Sequence, residues 1–129
     1  MPNKPTLTFE APEGFNDAAI KQQVAAIAAW VAANPTARIA PIGGKLAEGG
    51  LPAYLRRDTG KRADINRVLA EGASVADFLA YARPLGGGYV DLAAALTGGY
   101  SRSATGYGSP VVTLTGEGRR GLWGAAKPP

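Results

Sequence analysis

The densest set of ionisable side chains is the run Arg56-Arg57-Asp58-Thr59-Gly60-Lys61-Arg62, four cations around one carboxylate, with Arg67 a few residues on. Cations at that density suit phosphate or carboxylate partners, because each supplies charge-assisted hydrogen bonds and neutralised phosphates release their counterions. The run suits a solvated helix start equally well, or contact with an acidic protein surface. Arg56, Arg57, Lys61 and Arg62 are therefore candidate partner-binding residues. A second candidate set is aromatic: Tyr89, Tyr100 and Tyr107 each adjoin glycine. Such segments are either loops pinned by a ring or contact surfaces in which rigid rings supply area and small residues supply adaptable hydrogen bonds.

Catalysis has little to draw on. The chain contains neither histidine nor cysteine. That removes the usual base near neutral pH, the Ser–His and Cys–His pairs, thiolate nucleophiles and sulfur-based zinc sites. The acids are scattered, and several fall where caps and helix-surface charges belong. A carboxylate pair brought together by folding is the enzymatic alternative, since glycosidase-type chemistry needs only two carboxyl groups. No catalytic, cofactor-binding or metal-ligating residue is assigned, and no cofactor is expected.

One string matches a known motif in letters only, and one pair of segments resembles another in outline only. Gly116-Glu117-Gly118-Arg119-Arg120-Gly121 fits G-x-G-x-x-G after a predicted strand. A dinucleotide turn also needs a following helix and an acidic residue about 20 positions on. Residues 122–129 supply neither, so a hairpin turn is expected. The helical segments on either side of Gly72 have the outline of a helix-turn-helix. The second, however, offers Val75, Ala76, Phe78, Leu79 and Ala80 where a reading helix presents long polar side chains to bases.

The elements that would position these residues follow from periodicity and punctuation. Thr6 to Phe9 alternates polar and apolar as a half-buried strand does, and Ala11-Pro12-Glu13-Gly14 ends it. Asn16 is a good N-cap for a helix over about 17–33, whose Ile20, Val24, Ile27 and Val31 form the expected main buried stripe. Residues 36–55 read mostly as loop, with Arg38 to Ile42 a short strand that Pro41 would confine to an edge. A second helix starts from Asp58 and stops at Gly72, and Ser74 with Asp77 forms a capping box for a third that ends at Pro84. Asp91 caps a short apolar helix to Leu96, closed by Gly98-Gly99. Val111 to Thr115 reads as a strand, turned by Gly116 to Gly118 into a hairpin with Leu122-Trp123.

These elements predict an α+β fold. It has three to four short helices, a small, mostly antiparallel sheet formed by the N- and C-terminal strands, and a loop-rich second half. A length of 129 residues fits one domain, here with extended arms at about 1–12 and 125–129. The formal charge of +4 with 19% charged residues favours an anionic partner only mildly. No stretch reaches the ~18–20 apolar residues of a membrane helix, and the start lacks the apolar core of a secretory signal. The expected location is the cytoplasm, or a virion if the gene is a phage's. The expected function is non-catalytic: a structural or assembly protein acting through contacts with other subunits or copies of itself, as in bacteriophage capsid, neck or tail accessories. A small basic nucleic-acid-binding accessory protein is the first alternative, and a carboxylate-based small enzyme the second.

Overall fold

Strands from opposite ends of the sequence pair to form the sheet: β1 (Thr6–Thr8), β2 (Arg38–Pro41), β3 (Ala73–Ser74) and β4 (Val112–Glu117) lie in the order β1-β4-β2-β3. The computed structural model describes residues 6–43, 50–104 and 106–117. All three pairings are antiparallel, with Leu7 opposite Gly116, and Ile39 opposite both Leu114 and Ala73. The first and last predicted strands thus share one sheet, as expected, and the fold is α+β. β4 shows why: Val112, Leu114 and Gly116 are buried while Thr113 and Thr115 between them are half-buried, the alternation of a strand covered on one face.

Four helices complete the fold: α1 (Ile20–Ala33), α2 (Lys61–Glu71), α3 (Val75–Ala82) and α4 (Tyr89–Thr97). α4 lies at their centre, in contact with α1, α2 and β4, while α2 also meets β2 and α3. The core joins Ile27, Leu69, Phe78 and Leu92 to Val112 and Leu114, all fully buried. Phe9 extends it, stacking edge-to-face on Phe15 and Trp30 with ring centroids 5.7 Å apart in both pairs. Pairs of this geometry add to what simple area burial supplies.

Local signals placed several boundaries correctly. Ser74 accepts a hydrogen bond from the Asp77 N–H at 3.1 Å and starts α3, and Gly72, at φ +88°, ends α2. Gly72 has a second reason to be glycine, because a Cβ there would come within 3.0 Å of the Ile39 carbonyl oxygen and the Pro41 ring.

Other expectations are corrected. α1 starts at Ile20, without a side-chain cap, after a separate tight turn at Phe15–Asp17; the Asn16 carbonyl is instead engaged by the Tyr107 hydroxyl at 2.6 Å. Of its expected stripe only Ile27 is fully buried; Ile20 is 45% exposed, and Trp30 and Gln23 occupy the buried side instead. α2 starts at Lys61 rather than Asp58, since Gly60 at φ +103° breaks the helical path. β2 lies inside the sheet, neither loop nor edge. Its proline is tolerated because β3 pairs only with Arg38 and Ile39 and has ended before Pro41. The expected hairpin partner Leu122-Trp123 and the arm at 125–129 lie outside the described residues. Within the segment expected as an N-terminal arm, Thr6–Thr8 forms β1 and Phe9 is buried. Among the described residues, no helix is long and apolar enough to cross a membrane.

Candidate functional site

α4 is an unusual helix, since every residue from Asp91 to Thr97 is buried. A helix covered all round must either exclude polar groups or satisfy them internally. Asp91, 1% exposed, follows the second course. It occupies the third helical position, where the macrodipole favours negative charge, and accepts the Gly88 N–H at 2.9 Å. Arg62 Nη1 donates to its other oxygen at 2.9 Å, and the Tyr100 hydroxyl donates to the same oxygen at 2.5 Å. Gly87 makes room for this arrangement: a Cβ there would sit 2.3 Å from Asp91 Oδ2 and 2.6 Å from Ile65 Cδ1.

The network continues from Tyr100 through α2 to the preceding loop. Asn66, fully buried, donates from Nδ2 to the Tyr100 hydroxyl at 3.0 Å and to the Arg62 carbonyl at 2.8 Å. Its Oδ1 accepts from the Tyr54 hydroxyl at 2.9 Å. The two tyrosine rings meet edge-to-face at 5.6 Å, and the Arg62 guanidinium carbon lies 4.4 Å from the centre of the Tyr100 ring. Arg62 is thereby held by a carboxylate and by an aromatic face together.

Burial, helped by the hydrogen bond to Asp91 and by its charge, pushes the Tyr100 phenol up to about 12, against the opposing contacts of Asn66 and Arg62. Tyr54 is pushed further up, by burial first and then by the charges at Tyr100 and Asp91. Both phenols are neutral donors at physiological pH.

In front of this network lies an open cleft of about 830 Å³, bounded by residues 53–57, the start of α2, Val90, and Tyr100, Ser101, Ser103 and Ala104. Arg56, Arg57, Lys61 and Arg62 all line it, together with the hydroxyl-bearing Thr59, Ser101 and Ser103. No described aspartate or glutamate does. Among the described residues Arg56, Arg57 and Lys61 have no ion-pair partner, whereas Arg67, the next cation along α2, is taken by Asp64 at 2.9 Å. An open, cation-lined concavity of this kind attracts anions and concentrates the local field.

The structure thus gathers the four candidate cations into one cleft. It does not gather the three candidate tyrosines. Tyr89 packs against the core. Tyr100 underlies Arg62 at the cleft. Tyr107 ties its loop to the segment before α1, through Asn16 and, at 3.5 Å, to Gln23 Nε2. Sequence reasoning missed Tyr54, Asn66 and the role of Asp91 as more than a helix-start residue. One signal was present: an aspartate immediately preceding the unbroken apolar run Leu92 to Leu96 is poorly placed to reach water. Among the described residues no group of three or more acids assembles as a set of metal ligands. Comparison with protein-family models, curated proteins and solved structures found no match for the chain.

Proposed function

We propose that the chain is a non-catalytic accessory protein that binds nucleic acid through the cleft at the start of α2. The observation that carries this reading is the set of cations without ion-pair partners among the described residues, Arg56, Arg57 and Lys61, facing one open cleft that no described carboxylate lines. Four cations lining one open cleft match a phosphate backbone better than a single small anion. Beyond these cations the described lining offers hydroxyl groups but no asparagine, glutamine or carboxylate to read base edges, and the recognition proposed is of the backbone.

Binding of a fluorescein-labelled oligothymidylate, followed by anisotropy, tests this. Affinity should fall steeply with salt, with a log–log slope of roughly −3 for about four phosphate contacts on a single strand. Replacing Arg56, Arg57 and Lys61 by alanine should weaken binding to every sequence alike and flatten the slope by about 0.7 for each cation removed. Absence of binding at low salt defeats the reading.

A second reading, a subunit of a larger protein assembly, is favoured by the sheet edges. Among the described residues β1 pairs only with β4, leaving its outer edge open to an added strand from a neighbour. Size-exclusion chromatography with light scattering decides it: a monomer at high concentration that captures no partner subunit speaks against assembly.

A further inference from the structure

The geometry points to Asp91 and Tyr100 as positioning residues that hold the guanidinium of Arg62 to grip a phosphate group bidentately, so that this cation contributes shape where the other three contribute charge. The inference rests on the cleft reading above and sharpens it.

The charge balance is the starting point. Arg62 is bonded to a carboxylate that is itself 1% exposed, so the pair adds little net charge to the cleft, and long-range attraction falls to Arg56, Arg57 and Lys61. What Arg62 offers instead is order. Its Nη1 is committed to Asp91, and its carbon lies over the Tyr100 ring. Asp91 is fixed by the Gly88 N–H and Tyr100 by Asn66, itself fully buried. The Arg62 side chain is nevertheless 57% exposed and lines the cleft, and among the described residues no carboxylate or carbonyl oxygen accepts from its Nη2 or Nε. Those two donors have the spacing that meets two oxygens of one phosphate. An arginine whose rotamers are already restricted loses less entropy on binding than a free one. Lysine, a point charge with no fork, could replace any of the other three cations but not this one.

Substitutions at Asp91 give the two views opposite signs. Asp91→Asn removes a negative charge behind the cleft, so a purely electrostatic cleft binds more tightly. If Asp91 positions Arg62, the same change loosens the fork and binding weakens, by about three- to tenfold. Arg62→Lys should weaken binding of labelled oligothymidylate by about tenfold while leaving the salt slope as in the parent protein. Arg67→Lys, at a cation outside the cleft lining and paired with Asp64, should leave both unchanged. Tyr100→Phe, which alters no charge and keeps a ring beneath the guanidinium, should weaken binding about threefold through removal of the bond to Asp91. Thermal melts accompany each variant, and Tyr100→Phe decides the matter for any other variant that does not fold. Tighter binding by Asp91→Asn, or Arg62→Lys indistinguishable from the parent protein, overturns the inference while leaving the cleft as a nucleic-acid site. Failure of the parent protein to bind at all overturns both.

Discussion

α1 and α4 are both alanine-rich helices, yet they stand in opposite relations to the rest of the molecule. α1 has the longer series of apolar residues at helical spacing, but only Gln23, Ile27 and Trp30 along its length are buried. α4 has almost no polar side to lose, and the fold buries it from Asp91 to Thr97. Periodicity marks the helix that has one wet face. It is silent about the helix with none, which becomes the centre because α1, α2 and β4 all pack on it. The difference reaches the candidate site. Lys21 and Gln22 on α1 are exposed to water, whereas Asp91 on α4 must be matched by donors brought from elsewhere, and two of those, Arg62 and Tyr100, line the cleft.

The sharpest way to break this comparison is to hollow the central helix. Leu92→Ala removes a side chain with no exposed surface, and should lower unfolding stability by about 2–5 kcal/mol in urea titrations. A loss below about 1 kcal/mol would mean that α4 is not the centre of the core.

An intermediate effect comes from the polar end of α4. Tyr100 has its phenol raised from 10.0 to about 12 in the folded chain, so the folded state retains its proton where the unfolded state loses it. Stability from this group is complete below about pH 10 and falls as pH rises towards 12, by on the order of 2 kcal/mol over that interval. Tyr100→Phe should show a shallower alkaline fall in denaturant midpoints, whatever its stability at neutral pH. Equal slopes in the two proteins would place Tyr100 in water rather than against Asp91.

The smallest expected effect lies on α1. Ile20, 45% exposed, should tolerate alanine with a change within about 0.5 kcal/mol, despite belonging to the apolar periodicity of that helix. A cost comparable to that of Leu92→Ala would restore α1 to the position its spacing suggests and remove the contrast between the two helices.

Legibility followed the range of the interaction. The capping of α3 by Ser74 and the stop at Gly72 involve bonds within one turn, and were readable because the residues that make them are neighbours in the chain. The basic run was readable as a run, including its place at the start of α2. Its concentration of four cations around one cleft was not, because part of the lining, Tyr100, Ser101, Ser103 and Ala104, comes from beyond two further helices. Asp91 was readable as a helix-start residue. As the anchor of Arg62, 29 residues away, it was not.

By itself, then, the sequence determined which segments coil and where several of them stop, that strands from both ends are available to pair, and that histidine and thiol chemistry are absent. Each of these depends on residue type or on contacts a few positions long. Tertiary structure alone decided which helix is enclosed, that the strand carrying Pro41 lies inside the sheet, and which tyrosine lies beneath which arginine. Periodicity states that a face is apolar, but burial depends on what arrives to cover it. A buried carboxylate is tolerated only where donors from distant segments converge, as Arg62, Tyr100 and the Gly88 N–H do on Asp91.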